Sequence, residues 1–179
     1  TGQAARIVGS AANDVLASTV DNDTIYGAAG IDVVTYAGAR ADYVVTVSDS
    51  GFTVASRTQP GSVDSLLNVE RLKFADACLA LDWNGNAGQI YSLYQAAFNR
   101  APDAAGIGFW LHARDGGMDM RAIATTFLDA NESASSYPDN SDTAFLTRLY
   151  NNVFHRAPDA AGLAFHLANL EKHAVDRPA

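Results

Sequence analysis

The chain has 179 residues, of which 48% are hydrophobic and 18% are charged. That length and composition give room for one or two packed domains and exclude a disordered chain. Acidic residues outnumber basic residues 20 to 12, for a net charge of -8. This balance argues against a nucleic-acid partner, which requires a basic surface. It suits hard cations such as Ca²⁺, which prefer carboxylate and carbonyl oxygens.

Two further features limit the class of protein. The single cysteine, Cys78, excludes an intrachain disulfide. No apolar run approaches the roughly 20 residues of a membrane span. Because the chain begins at Thr1 rather than Met, we expect a processed or excised fragment.

A nine-residue period opens the chain. Residues 9–17 (GSAANDVLA), 18–26 (STVDNDTIY) and 27–35 (GAAGIDVVT) each begin with a small residue and carry Asp at the sixth position. A large aliphatic residue follows each Asp two places later. This spacing predicts a tight turn followed by a very short strand in every unit, with the aliphatic side chain pointing inward. The recurring pairs are Asp14 with Leu16, Asp23 with Ile25, and Asp32 with Val34.

The same period predicts a metal site. Turn carbonyls and the Asp carboxylate point outward, toward a cation, and two units form one coil, so units 18 residues apart share an ion. We therefore expect one Ca²⁺ shared by Asp14 and Asp32. Asp23 is expected to be incomplete, because its partner positions hold Ala5 and Ala41. The predicted metal ligands are Asp14, Asp32, Gly9, Ala11, Gly27 and Ala29, with Asp23 as the incomplete site. The alternative is a β-coil that has lost its metal, in which each Asp bonds its own turn.

The glycines of the nonapeptide motif are degraded in this chain. The second position of the three units holds Ser10, Thr19 and Ala28. At the fourth position, Ala12 and Asp21 replace a glycine that the third unit alone retains. Non-glycine residues resist the left-handed backbone that these turns require.

The rest of the first half has β-like runs at residues 31–36, 43–47, 52–56 and 66–74, with a hairpin turn at 49–51. The layout G-x-D-x-V-x-Y at 30–36 is followed by D-x-L-x-N-V-E-x-L-x-F-x-D at 64–76. With the nonapeptides, these segments resemble the RTX (repeats-in-toxin) family of bacterial type I-secreted proteins over residues 9–81. The resemblance implies calcium-dependent folding outside the cell and export through a type I channel. Cys78 is expected to pack in the β core.

Beyond Leu81 the apolar residues recur at helical spacing. The predicted fold class is therefore α+β. A short β-roll module spans residues 1–83, and an all-α module built from a duplicated helix-turn-helix unit spans residues 84–179. Asp119 and Asp142 are predicted N-caps of later helices.

The duplication is visible between residues 93–112 and 149–168, where 12 of 20 positions are identical at an offset of 56. Each copy is predicted to form a helix, a turn at the R-A-P-D segment, and a second helix, which Asp103 caps in the first copy and Asp159 in the second. Gly106 and Gly162 are expected to allow close helix packing. We expect Phe109 and Phe165 to return to the core.

The repeated unit resembles an uncharacterised helical domain family that often follows RTX-like segments in bacterial secreted and surface-layer proteins. Its R-x-P-D-x-x-G-x-x-F-W signature stands whole at residues 100–110, and His166 departs from it in the second copy. An Arg and an Asp across one turn could bind a polar ligand, or they could form a cap and an ion pair that fix the turn. The candidate ligand-binding residues are Arg100, Asp103, Trp110, Arg156 and Asp159.

No zinc-protease, nucleophile-elbow, P-loop or dinucleotide-binding motif is present, so we expect no enzyme activity. The expected function is a calcium-binding accessory module of a bacterial secreted or cell-surface protein, located outside the cell, which supports calcium-dependent folding and surface attachment or assembly. Its expected partners are calcium and a cell-surface glycan or another surface protein, with no nucleic acid and no membrane span. One alternative is a module that binds an extracellular glycan or peptide in a groove between the helical repeats, and another is part of a secreted enzyme.

Overall fold

The computed structural model describes residues 3–129, 139 and 141–178. Their contacts divide the chain into two compact units, Thr1–Trp83 and Asn84–Ala179. The first unit is built of strands and the second of helices. The predicted α+β class is therefore confirmed.

The first unit begins with four three-residue strands that follow one another every nine residues: β1 (Arg6–Val8), β2 (Val15–Ala17), β3 (Thr24–Tyr26) and β4 (Val33–Thr35). Strand β1 pairs in parallel with β3, and β2 with β4, so that each residue faces the residue 18 positions later. This is the register that the nonapeptide period predicts. The coil starts one unit earlier than predicted, because β1 precedes the first repeat.

Five more strands complete two sheets: β5 (Tyr43–Ser48), β6 (Gly51–Ser56), β7 (Val63–Leu67), β8 (Arg71–Lys73) and β9 (Cys78–Ala80). Their orders are β1-β3-β7-β6-β5 and β2-β4-β8-β9. Strands β7 and β8 continue the coil, because β7 is parallel to β3 and β8 is parallel to β4. The antiparallel β5–β6 hairpin is thus an insertion between two turns of the coil.

Two predictions in this unit need correction. The run at 66–74 is two strands, because Asn68 adopts a left-handed backbone with φ 49° and carries the chain from one sheet to the other. Cys78 is exposed instead of buried. It alternates with Leu79, which packs on the core, and neighbouring residues of a strand face opposite sides. Of the three inward aliphatics that the period predicts, Ile25 and Val34 are fully buried, and Leu16 packs on the same core half-buried.

The second unit contains, in the described residues, the helices α1 (Asn86–Phe98), α2 (Ala104–Asp115), α3 (Met120–Asp129), α4 (Asp142–Phe154) and α5 (Ala160–Glu171). Its core joins Ile90, Tyr94 and Ala97 of α1 to Ile123 and Phe127 of α3. None of these helices is long and apolar enough to span a membrane.

Two helical predictions are wrong in detail. The N-cap of α4 is Ser141, whose hydroxyl accepts a hydrogen bond from the Ala144 N–H, and Asp142 is the first helical residue. Phe109 and Phe165 are 66% and 64% exposed. In each helix the following residue lies half-buried instead, and successive residues of a helix point about 100° apart.

Candidate functional site

The acidic residue of each coil holds the backbone of the coil before it. In what we call the first acidic column, Asp23 Oδ1 accepts a hydrogen bond from the Ala5 N–H at 3.0 Å. Asp64 Oδ1 accepts one from the Asp23 N–H at 2.9 Å. The prediction that Ala41 faces Asp23 is therefore wrong. The inserted hairpin moves the next coil, so that Asp64 takes this place.

The second acidic column, on the opposite side, repeats this arrangement. Asp32 Oδ1 accepts a hydrogen bond from the Asp14 N–H at 2.9 Å. Glu70 Oε2 accepts one from the Asp32 N–H at 2.9 Å. Asp14 and Asp32 are thus brought together as predicted. Glu70 is an additional member, and an acid two residues before an inward aliphatic (Leu72) was the signal that could have shown it.

Hydroxyl groups satisfy two of the three nonapeptide carboxylates. Asp14 Oδ2 accepts hydrogen bonds from the N–H and the Oγ–H of Ser10, at 2.6 and 2.9 Å. Asp23 accepts from the N–H and the Oγ1–H of Thr19, at 2.7 and 3.0 Å. Ser10 and Thr19 stand at the second, normally glycine, position of their units. These two turns therefore bond their own Asp, as the metal-free alternative predicts for them.

The third turn differs, because its second position is Ala28 and offers no hydroxyl. Asp32 is fully buried, and its Oδ2 is the one buried side-chain oxygen or nitrogen without a hydrogen-bond partner in the described part of the chain. A Cβ atom on Gly27 would collide with the Asn68 carbonyl oxygen and lie 2.5 Å from Asp32 Oδ2. The absence of a side chain at Gly27 thus lets a carboxylate oxygen and a carbonyl oxygen both approach this residue closely.

The backbone of the third turn also differs from the other two. Ala28 and Gly30 have φ angles of 85° and 126°, whereas the turns at 9–14 and 18–23 contain no residue with positive φ. A left-handed conformation at an alanine is strained, so the surrounding coil imposes it. Only the turn at 27–32 therefore keeps the backbone that the motif requires.

Burial dominates the electrostatics of the second acidic column. It raises the pKa of Asp32; the hydrogen bond from the Asp14 N–H partly offsets this, and repulsion from the Asp14 carboxylate adds to it. Burial also raises the pKa of Glu70, with repulsion from Asp32 and Asp82. The Arg71 guanidinium, paired with Asp82 at 2.5 Å, lowers the pKa of Glu70 in part. Negative charge at this column is therefore incompletely compensated by the protein.

The donor set defines what a metal would need. Within the described ranges, no group of three or more His, Cys, Asp or Glu side chains is placed to hold an ion. Calcium takes six to eight oxygens, so backbone carbonyls and water would supply most of them. Gly9 and Gly27 lie at the interface of successive coils, whereas Ala11 and Ala29 are exposed. The orphaned Asp32 oxygen and the nearby Asn68 carbonyl oxygen are donors that fit a hard cation.

The predicted ligand residues of the helical unit make the same contacts in both copies. Asp103 caps α2 by accepting a hydrogen bond from the Gly106 N–H at 2.7 Å. Asp159 caps α5 in the same way at 2.8 Å, from the Gly162 N–H. The C-caps of α1 and α4 are left-handed in both copies, with φ angles of 53° and 54°. The two copies are therefore superposable turns.

Aromatic rings hold the two arginines. Arg100 lies over the ring of Tyr94, 5.3 Å from its centroid, and Arg156 lies 5.7 Å from that of Tyr150. These cation–π contacts join the turn to the preceding helix. Trp110 packs against Phe127, with ring centroids 5.1 Å apart. Arg100 and Arg156 therefore stabilise the turns, and Trp110 packs in the core.

Comparison with known families concerns the helical unit. Residues 85–137 and 124–179 each match the family described as a domain of unknown function (DUF4214). The two matches together cover more than half of the chain. The chain belongs to the DUF4214 family. Two DUF4214 matches agree with the duplicated helical unit, and the description of the family names no activity.

The DUF4214 matches begin at residue 85, so the RTX resemblance of the first unit stays a prediction. No curated protein matches this DUF4214 chain, and no solved structure matches it. The site described above therefore depends on the geometry of this chain alone.

Proposed function

We propose that the chain is a non-catalytic calcium-binding accessory module of a bacterial secreted or cell-surface protein. In this proposal Ca²⁺ stabilises the β unit outside the cell, and the helical unit serves surface attachment or assembly. The single observation that carries the calcium part is the buried Asp32 Oδ2, which has no hydrogen-bond partner. The RTX resemblance of residues 9–81 supports the location and the export route.

A buried carboxylate oxygen without a partner calls for a cation or a proton, because an uncompensated charge is costly in the protein interior. Asp32 lies in the one turn that keeps the left-handed backbone of the motif. The neighbouring oxygen is a backbone carbonyl, that of Asn68, which also lies close to Gly27. Hard oxygen donors of this kind select Ca²⁺ rather than zinc or copper.

The carboxylates of Asp14 and Glu70 add negative charge next to Asp32, and the Asp14 N–H donates to Oδ1 and not to the free Oδ2. When bound, the ion would neutralise this charge and hold two successive coils together. Binding to the folded chain alone stabilises it by mass action, by about 2.7 kcal/mol at 100 times Kd. Extracellular calcium modules have Kd values of about 10⁻⁴ to 10⁻³ M, which keeps such a site empty at low calcium.

The test is thermal unfolding in EGTA and in millimolar calcium, with isothermal titration calorimetry for stoichiometry. We expect calcium to raise the Tm of the β unit, with one ion bound. Asp32→Ala abolishes the rise, and Asp14→Ala does so by removing the charge next to it. Asp23→Ala is the matched control. It keeps the rise, because Asp23 belongs to the first acidic column with Asp64, on the opposite side of the coil from Asp32.

Two outcomes would contradict the proposal. A melting curve that is the same in EGTA and in calcium would show that the chain binds no calcium. A calcium-induced rise in Tm that persists in Asp32→Ala but is lost in Asp23→Ala would place the ion at the first acidic column instead.

A specific observation also favours the glycan- or peptide-binding alternative. A groove of about 600 Å³ lies between α1 and α4, and polar side chains line much of it, among them Asn99, Asn151 and Asn152. Amide side chains both donate and accept hydrogen bonds, as recognition of sugar hydroxyls requires. Binding on a glycan array that Asn151→Ala abolishes would support this alternative, and an array without hits would count against it.

A further inference from the structure

We propose that the second helical repeat binds a partner helix that has the chemistry of α3. The binding surface is the second-repeat face, formed by Tyr150, Val153 and Phe154 of α4 and His166 of α5. This inference goes beyond the proposed function and does not depend on calcium.

The first repeat shows what covers the equivalent face. There the ring of Phe127, in α3, lies 4.8 Å from that of Tyr94 and 5.3 Å from that of Phe98, centroid to centroid. It also packs on Trp110 of α2. Helix α3 therefore closes the aromatic face that α1 and α2 present. Ile123, one turn earlier on α3, is fully buried in the same core.

In the second repeat, none of the described helices covers the same face. The positions 56 residues after the contact residues of Phe127 hold Tyr150, Phe154 and His166. Phe154 is 58% exposed, and the ring of Tyr150 packs on it and on His166 at 5.3 and 6.0 Å. Val153 is 45% exposed, whereas its counterpart Ala97 is buried.

The second helix of each repeat shows the same difference. Helix α2 buries Leu111, whereas α5 has no buried residue, although α5 is the more apolar of the two sequences. Large apolar side chains exposed together mark an interaction surface.

The described residues after α5 do not close this face. Residues 172–178 form turns and no helix. Arg177 in this segment bonds Asp142 at 2.6 Å and lies over the ring of Phe145, both in the first turn of α4. Phe154 lies about 13 Å farther along the helix axis, at 1.5 Å per residue.

The chemistry of the partner follows from the interface that the chain already contains. A helix that repeats the contacts of α3 carries an aliphatic and an aromatic residue four positions apart, as Ile123 and Phe127 are. Residues with this spacing lie on one face of a helix and insert together into a groove. We therefore assign the second-repeat face to an amphipathic helix of this pattern.

The experiment measures binding of a labelled peptide of residues 117–129, with blocked ends, to the full chain by fluorescence anisotropy. We expect saturable binding, weakened by the cost of ordering so short a helix. Phe154→Ser in the chain weakens it by at least about 30-fold, the usual effect of losing a buried aromatic anchor. A peptide with Phe127→Ser fails to bind.

Phe165→Ser is the matched control, because Phe165 is as exposed as Phe154, and its counterpart Phe109 stays exposed although α3 packs on the first repeat. This variant keeps the wild-type affinity, and circular dichroism confirms that both variants fold. Absence of binding at millimolar peptide would overturn the proposal, as would equal effects of the two substitutions. Self-association of the chain that Phe154→Ser abolishes would assign the face to a second copy instead, and so also overturn it.

Discussion

Replacing Asp32 with Asn separates the two roles of its carboxylate. Asn is isosteric with Asp, so its Oδ1 still accepts the hydrogen bond from the Asp14 N–H. Its amide group replaces the partnerless Oδ2 next to the Asn68 carbonyl oxygen. A donor thus takes the place of an acceptor without a partner, and the buried charge disappears.

The magnitude follows from the cost of an unsatisfied buried polar group, about 1–3 kcal/mol. Because Asp32→Asn removes this unsatisfied acceptor and its buried charge, we expect it to stabilise the metal-free chain by about 1–2 kcal/mol. A domain of 60–100 residues gains about 4–8 °C in Tm per kcal/mol. The β unit, Thr1–Trp83, falls in this range.

The assay is thermal unfolding of both proteins in EGTA and in calcium. In EGTA the variant melts at the higher temperature, and in saturating calcium the wild type gains while the variant does not. Asp23→Asn is the control and should destabilise by about 2–3 kcal/mol, because its new amide faces the N–H and O–H donors of Thr19. A lower Tm of Asp32→Asn in EGTA would refute the reasoning, since Oδ2 would then already have a favourable partner.

Three further predictions concern both units. Gly106→Ala should destabilise the chain by about 1 kcal/mol or more, because the new Cβ would lie 2.5 Å from a buried tyrosine hydroxyl. At Gly162 the same distance is 3.1 Å, so Gly162→Ala should be neutral or stabilising by up to about 1 kcal/mol. Urea unfolding followed by circular dichroism compares them, and equal losses would contradict the packing argument. Thr19→Val should cost about 1–3 kcal/mol by removing a donor to buried Asp23, more than Ser10→Ala at an exposed turn. A loss from Thr19→Val no larger than that from Ser10→Ala would contradict it. In EGTA the Tm should rise as pH falls from about 7 to about 5, because burial raises the pKa of three carboxyl groups above 3.8 or 4.5 and the folded chain then binds protons that the unfolded chain does not. A Tm that falls over this range would contradict those shifts.

Much of the β unit could be predicted from its repeat. The nine-residue spacing contains both the strand positions and the register of 18, because a coil of fixed length places equivalent residues in contact. The pairing of Asp14 with Asp32 followed from the same arithmetic. The partner of Asp23 did not, since the inserted hairpin breaks the period and only the folded chain shows that Asp64 resumes it.

In the helical unit, the 56-residue offset predicted two equivalent turns, and both capping residues lie where the local sequence placed them. Burial was less predictable. The sequence around Phe109 and Phe165 resembles that around core residues. Each side chain nevertheless lies on the solvent-facing side of its helix. Phe98 and Phe154 are the same residue at equivalent positions of the two repeats, yet among the described helices a third one packs on Phe98 only.

The turns, helix caps and repeats of this chain could therefore be predicted from the sequence, because they depend on residues a few positions apart. The sequence shows that Ala28 offers Asp32 no hydroxyl, but only the tertiary structure shows that the oxygen left without a partner is buried. Asp14, Asp23 and Asp32 occupy the same repeat position. A hydroxyl four residues earlier bonds the first two, whereas the coil buries the third beside an alanine and a glycine. That difference depends on the path of the backbone through the coil, and it distinguishes one candidate cation site from two self-contained turns.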